Sequence, residues 1–141
     1  IFNTYGPNMS ISDGRVINSF VSNCILNRPL LIYGNGYQTR SFCYIDDLIK
    51  AFLLLKDINF NDPVNLGYPH QIKIIELAEL IKHKTDSHSE IIFKKSNKNE
   101  PFMRMPSIQL AKELLNWEPE ISLDLGLEYT INYFKNLLNK Y

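Results

Sequence analysis

Apolar residues recur at helical spacing in blocks along this chain, and short extended runs ending in turn residues separate the blocks. That alternation restricts the fold more than any other feature. Val16, Ile17, Phe20, Val21, Cys24 and Ile25 make one helical stripe, with Asp13 expected as its N-cap and Pro29 just past its end. Leu30 to Tyr33 reads as a short strand, Gly34-Asn35-Gly36 as a tight turn and Arg40 to Ile45 as extended chain. Asp46 is expected to cap a helix to about Lys56 that turns Leu48, Ile49, Phe52 and Leu53 inward. Val64-Asn65-Leu66-Gly67 reads as a strand and stop. A helix from about Ile74 to Lys84 follows, although Lys73 is a poor cap. Ile91 to Lys94 is a strand, and Ser96 to Pro106 a polar loop. Ser107 is expected to cap a helix ending near Leu115, where Asn116 suits a left-handed C-terminal position. A last helix follows Ser122, with Leu123, Leu127, Ile131, Phe134 and Leu138 on one face. Strands alternating with helices, then helices alone, predict an α/β chain end.

The 141 residues suffice for one domain with a core. Fifteen basic residues balance fifteen acidic ones, which argues against a nucleic-acid binder, since that needs a basic excess. The longest apolar run, Ala51 to Leu55, is too short to span a bilayer, so no membrane partner is expected. Nothing resembles a signal peptide, and a cytoplasmic location is the default expectation. Cys24 and Cys43 read as reduced core thiols, and no cysteine–histidine cluster suggests a metal site. The chain opens Ile1-Phe2-Asn3-Thr4-Tyr5-Gly6-Pro7, with no initiator Met and apolar residues running straight into a turn. The expectation is that a preceding segment supplies the strand's neighbours.

Three arginines sit in loops or at element starts: Arg15 after Gly14, Arg40 after the glycine turn and Arg104 before Ser107. An arginine in a first helical turn opposes the dipole, which a bound anion would explain. The guanidinium fork matches phosphate or carboxylate, and three such groups would hold a pyrophosphate firmly. On spacing alone, three surface arginines with solvent or carboxylate partners are the favoured reading. Tyr33 and Tyr37 flank the glycine turn, where an aromatic can stack on a base or pack inward. His70, His83 and His88 read as surface residues. No tyrosine has Lys four positions on, and no G-x-G-x-x-G, P-loop or G-x-S-x-G is present.

Taken together, Ile-Phe-Asn-Thr-Tyr-Gly-Pro (1–7), Asp-Gly-Arg-Val (13–16), Ile-Tyr-Gly-Asn-Gly-Tyr-Gln-Thr-Arg-Ser-Phe-Cys-Tyr-Ile-Asp-Asp-Leu (32–48), Pro-Val-Asn-Leu-Gly (63–67), Arg-Met-Pro-Ser-Ile (104–108) and Trp-Glu-Pro (117–119) form an ordered series. The series resembles the C-terminal half of UDP-glucuronic acid decarboxylases, extended short-chain dehydrogenase/reductases related to nucleotide-sugar dehydratases and epimerases. The resemblance covers essentially the whole chain. It implies an α/β, Rossmann-like fold in which residues 1–141 are the substrate-binding C-terminal domain of a larger two-part enzyme. The N-terminal NAD-binding region, with its glycine-rich loop and Tyr/Lys catalytic pair, is expected outside this sequence.

The resemblance implies an NAD-dependent carboxy-lyase that oxidises the sugar 4-hydroxyl, releases carbon dioxide and returns the hydride, giving UDP-xylose. On this reading the chain alone is inactive. A 4,6-dehydratase, a 4-epimerase or a non-catalytic nucleotide-sugar-binding domain are the alternatives. Carried over position by position, the resemblance assigns Asn3, Arg15, Tyr33, Gln38, Arg40 and Arg104 to a UDP-sugar, with Arg40 and Arg104 on the pyrophosphate. It assigns Thr4 and Arg15 to the NAD side. No residue here is matched to catalysis or to a metal. Expected partners are the N-terminal region and a second copy in a homo-oligomer. Asn8, Ser10, Lys73 and Asn116 depart from the residues usual in the family.

Overall fold

The computed structural model describes residues 1–95 and 101–138. Short parallel pairings and five helices alternate along the chain. Strand β1 (Thr4–Tyr5) pairs in parallel with β4 (Cys43–Tyr44), in register Thr4 with Cys43 and Tyr5 with Tyr44. Strand β2 (Leu30–Tyr33) pairs in parallel with β6 (Ile91–Lys94). Strand β3 (Thr39–Arg40) lies between antiparallel β5 (Ile72–Lys73) and parallel β7 (Met103–Arg104). Parallel partners need crossover connections. Helices α1 (Val16–Ile25), α2 (Ile45–Lys56), α3 (Ile74–Thr85), α4 (Gln109–Leu115) and α5 (Leu123–Leu138) lie between or after the strands.

Two apolar clusters hold these pieces. The larger joins Ile17, Phe20, Val21 and Cys24 of α1, Leu30 and Ile32 of β2, Leu77, Ala78 and Ile81 of α3, and Leu127, Ile131 and Phe134 of α5. Each buried Val, Leu, Ile or Phe side chain among them contributes about 1.5–3 kcal/mol. The smaller gathers Cys43, Leu48, Ala51, Leu66, Ile108, Ala111, Leu115 and Trp117. It is pinned by Asp47, whose carbonyl accepts from Trp117 Nε1 at 3.1 Å and whose Oδ2 accepts from Ile121 N at 2.9 Å. Lys84 ties α3 to α5 through Asp124 at 2.7 Å and Glu128 at 3.0 Å. Gly126 is required where α5 meets β1, because a Cβ there would overlap the Tyr5 hydroxyl.

Most helix positions follow the apolar spacing, and several ends differ from expectation. Asp13 does not cap α1. Arg15 occupies the N-cap without a side-chain cap bond, and Asp13 instead pairs with Arg15 Nε at 2.8 Å. Helix α2 starts one residue before Asp46, with Tyr44 at its N-cap, so Asp46 and Asp47 lie in the first turn and favour the dipole. Lys73 has no acceptor for the first-turn amides of α3, but Glu76 accepts from its N–H at 3.4 Å and from its Nζ at 2.7 Å. Ile108, not Ser107, is the N-cap of α4, while Asn116 adopts the left-handed conformation at φ 47°. Ser122 caps α5, accepting from Leu125 N at 3.3 Å.

Three further expectations are corrected. Ile49, Phe52 and Leu53 do not turn inward with Leu48. They are 48%, 46% and 60% exposed and leave an apolar face on α2. Val64–Gly67 lies outside the ladders of the described residues, and its link to the chain start is Phe2 N donating to Leu66 O at 3.1 Å. Arg104 lies in β7 and not in a loop, and the expected loop from Ser96 falls partly on residues 96–100, outside the described ones. Both cysteines are buried and reduced, and all three histidines are exposed, as expected.

Candidate functional site

Loops and strand ends on one side of the larger cluster line two cavities. The first, about 470 Å³, is bounded by Asn3, Gly14, Val16, Ser19, Phe20, Leu31, Ile32, Tyr33, Gln38, Arg40, Phe42 and Ile74. Four of the residues carried over for the UDP-sugar, Asn3, Tyr33, Gln38 and Arg40, therefore share one wall. Gly34 and Gly36, at φ 81° and 79°, make the turn that brings them there, since L-residues with a Cβ avoid that region. Gln38 Nε2 donates to Tyr33 O at 2.7 Å across the turn. Asn3, in the left-handed region at φ 37°, donates through Nδ2 to Ser41 O at 3.0 Å, which leaves its Oδ1 for a ligand.

Arg40 is buried, and its Nη1 donates to Thr39 O at 2.8 Å and Phe102 O at 3.4 Å. Those bonds fix the guanidinium plane. Arg104 stands directly opposite Arg40 in the parallel register of β3 and β7, and it is exposed. The register thus sets two guanidinium-bearing residues side by side on neighbouring strands, where one anion can meet both. Tyr33 is 54% exposed, so its ring is free to stack and is not packed into the core.

The second cavity, about 710 Å³, runs along Thr4 to Ser10 and is closed by Asp13, Arg15, Tyr44, Ile45, Asp46, Leu48 and Ile49. Thr4 and Arg15 lie here, not with Arg40. The three arginines do not converge on one cavity: Arg15 is held by Asp13 and faces the other space. Burial pushes the Tyr44 hydroxyl up, reinforced by the Asp46 charge and Tyr129, and burial pushes Tyr5 up further. Both shifts oppose a phenolate, so neither tyrosine suits a general base near neutral pH. No group of three His, Cys, Asp or Glu that could hold a metal occurs among the described residues. No helix among them is long and apolar enough to cross a membrane.

Ser19, Phe20 and buried Asn18 were not singled out from the sequence. The signal for Asn18 was available: it follows Ile17 and precedes Val21 and Ile25 by three and seven residues, within the buried stripe of α1. A polar residue there needs a partner.

The α/β architecture is similar to part of the fold of NAD-dependent nucleotide-sugar epimerases, and the model of the NAD dependent epimerase/dehydratase family matches residues 1–67. The chain is a relative of the UDP-glucuronic acid decarboxylases. It is 45% identical to UDP-glucuronic acid decarboxylase 1 of Arabidopsis thaliana, over 99% of this chain and 32% of that protein. It is 43% identical to the enzyme of the same name from Xenopus tropicalis, over 98% of this chain and 33% of that protein. The chain thus spans about a third of the length of the curated relatives it matches. Among solved structures it superposes with TM-score 0.93 on a UDP-glucose 4-epimerase with UDP-glucose from Thermotoga maritima, at 30% identity, covering 97% of this chain and 45% of that one. It superposes with TM-score 0.87 on a UDP-glucuronic acid 4-epimerase from Bacillus cereus in complex with UDP-glucuronic acid and NAD, at 29% identity, covering 96% of this chain and 44% of that one.

Proposed function

We propose that this chain is the nucleotide-sugar-binding part of an NAD-dependent UDP-glucuronate decarboxylase, inactive without an NAD-binding region. The observation that carries the reading is the shared wall of Asn3, Tyr33, Gln38 and Arg40 beside Arg104, on a chain related along its length to decarboxylases. Tyr33 offers a face for the base. Arg40 and Arg104 offer charge-assisted bonds to the diphosphate, each worth about 1.5–3 kcal/mol. Asn3, at the inner end of that wall, orients the sugar-proximal phosphate.

The residues of the second cavity fit one edge of a dinucleotide. Thr4 and Arg15 both line that cavity. The cavity's residues do not fit the dinucleotide's phosphates, since Gly6 is the one glycine that lines it among the described residues. A bound NAD would supply reversible hydride acceptance beside the sugar, with Thr4 and Arg15 at its nicotinamide end. The chain's own residues hold the sugar in place and move no proton themselves. Two reduced thiols suit a cytoplasmic setting.

The test joins the chain to an NAD-binding region supplied from a relative. Release of carbon dioxide and UDP-xylose from UDP-glucuronate by the pair, and not by the chain alone, is the expected result. Turnover by the isolated chain would overturn the division of labour. A second reading, a UDP-glucuronate 4-epimerase, draws on the close superposition with the Bacillus cereus enzyme. UDP-galacturonate as product, without carbon dioxide, would establish it.

A further inference from the structure

Arg40 and Arg104 stand on strands of unequal support. Strand β3 is central and paired on both sides, whereas β7 is two residues long and, among the described residues, pairs with β3 alone. So short an edge has few ladder bonds to hold it. On one side of Arg104, Phe102 O accepts from Thr39 N at 2.9 Å. On the other side the holding group is a side chain. Gln71, immediately before β5, accepts through Oε1 from Thr39 Oγ1 and donates through Nε2 to Met105 Sδ at 3.4 Å. Thr39 adjoins Arg40 and Met105 adjoins Arg104, so one amide spans β3 and joins the neighbours of both arginines.

Successive side chains of a strand point to opposite faces of its sheet. Arg40 and Arg104, partners in register, therefore share one face, and Thr39 and Met103 share the other. Gln71 meets the Thr39 hydroxyl and so works from the face behind the arginines. Thr39, Gln71 and Met105 are not among the residues that line the Arg40 cavity. Gln71 acts on a ligand there only through the strand it holds. A second contact brings the same two segments together: a Cβ on Gly67 would come within 2.7 Å of Pro106 Cγ. With Pro106 seated there, loss of Gln71 would loosen β7 without detaching it.

We propose that Gln71 is a positioning residue of the diphosphate site, holding β7 in register so that Arg104 stands beside Arg40. The inference rests on the nucleotide-sugar reading above. Both bonds of Gln71 are exposed and a thioether sulfur is a weak acceptor, so the effect is a few-fold one. A loosened β7 spreads Arg104 over more conformations, and binding a diphosphate must gather it again. The loss therefore falls on affinity for the diphosphate and not on folding.

The chain is titrated calorimetrically with UDP as wild type, Q71A, R104M and the double variant. Q71A is expected to weaken UDP about threefold with Tm unchanged, and R104M about tenfold. The double variant is expected to match R104M, because the placement of β7 matters to the ligand only while Arg104 is on it. M105L keeps the volume, removes the sulfur and is expected to match Q71A. A loss from Q71A that persists undiminished in the R104M background would assign Gln71 to the fold or to another contact, which overturns the proposal. Wild-type affinity in Q71A overturns it as well. A wild type that binds no UDP sinks the nucleotide-sugar reading together with this inference, whereas UDP binding that responds to R104M and not to Q71A sinks the inference alone. If Q71A melts lower, M105L and its combination with R104M carry the same comparison.

Discussion

Arg40 and Arg104 face each other in register on adjacent parallel strands, one buried and hydrogen-bonded to backbone carbonyls, the other exposed. They lie 64 positions apart in the chain, so the fold, not local sequence, makes the pair. The different environments predict different failures. R104M removes an exposed cation and is expected to weaken UDP binding by about tenfold, the loss of one charge-assisted contact, with little change in Tm. R40M removes the same charge and also frees the Thr39 and Phe102 carbonyls, so affinity and Tm fall together. Calorimetry and thermal melts on both variants decide. Equal melting temperatures with unequal affinities in the reverse order would refute the assignment.

The like-charged pair also predicts a response to small anions. Pyrophosphate is expected to raise Tm of the wild type at low ionic strength, and the gain should shrink in R104M and at high salt. An identical shift in both proteins would place the anion elsewhere.

How much of this was legible from residues alone differs by element. Helices α1, α3 and α5 were readable because each buries a stripe against several neighbours, so period and burial agree. Helix α2 was half readable. Its stripe marks residues to be covered but not what covers them, and Ile49, Phe52 and Leu53 stay exposed in this chain. The cap of α1 misled because Asp13 answers a nearer charge, Arg15, instead of the helix amides. The carried-over site residues were legible only as a list. Their division, with Arg15 on a different cavity from Arg40 and Arg104 placed only by its strand register, depends on non-local pairing that no spacing encodes.

Cys43 predicts an alkaline limit to stability. Burial, reinforced by the Asp47 charge, pushes its thiol from 9.0 up to about 12. The folded state therefore holds a proton that the unfolded state releases. The contribution is fully present below pH 9 and is lost as pH rises toward 12, by about 1.4 kcal/mol per unit. C43A costs packing at pH 7 but removes this slope. Urea melts of both proteins at pH 7 and pH 10.5 should show the destabilisation by C43A shrinking at the higher pH. A constant difference would mean the thiol titrates normally.

Asp47 predicts a large loss from one polar group beside the smaller cluster. Its carboxylate accepts the Ile121 amide and orients the segment that carries Trp117. D47A leaves that part-buried amide unpaired and is expected to cost about 1–3 kcal/mol, whereas D47N keeps an acceptor and costs less. Denaturant melts rank the two. D47N as damaging as D47A would shift the role from the hydrogen bond to the charge.

The exposed face of α2 predicts the behaviour of the isolated chain. Phe52 and Leu53 stand next to Ile49 and Leu54, which are 48% and 42% exposed, so apolar area is continuous along the helix. A contiguous patch of this kind drives association. The wild-type chain is expected to self-associate at micromolar concentration, and F52K combined with L53K to shift it toward monomer. Because both side chains already face solvent, the double variant should change stability by only about 0.5 kcal/mol per site. Light scattering against concentration, paired with thermal melts, checks both halves. A wild type that stays monomeric throughout would show that the patch does not hold copies together. A double variant that melts far lower would show instead that these side chains are packed in the folded chain.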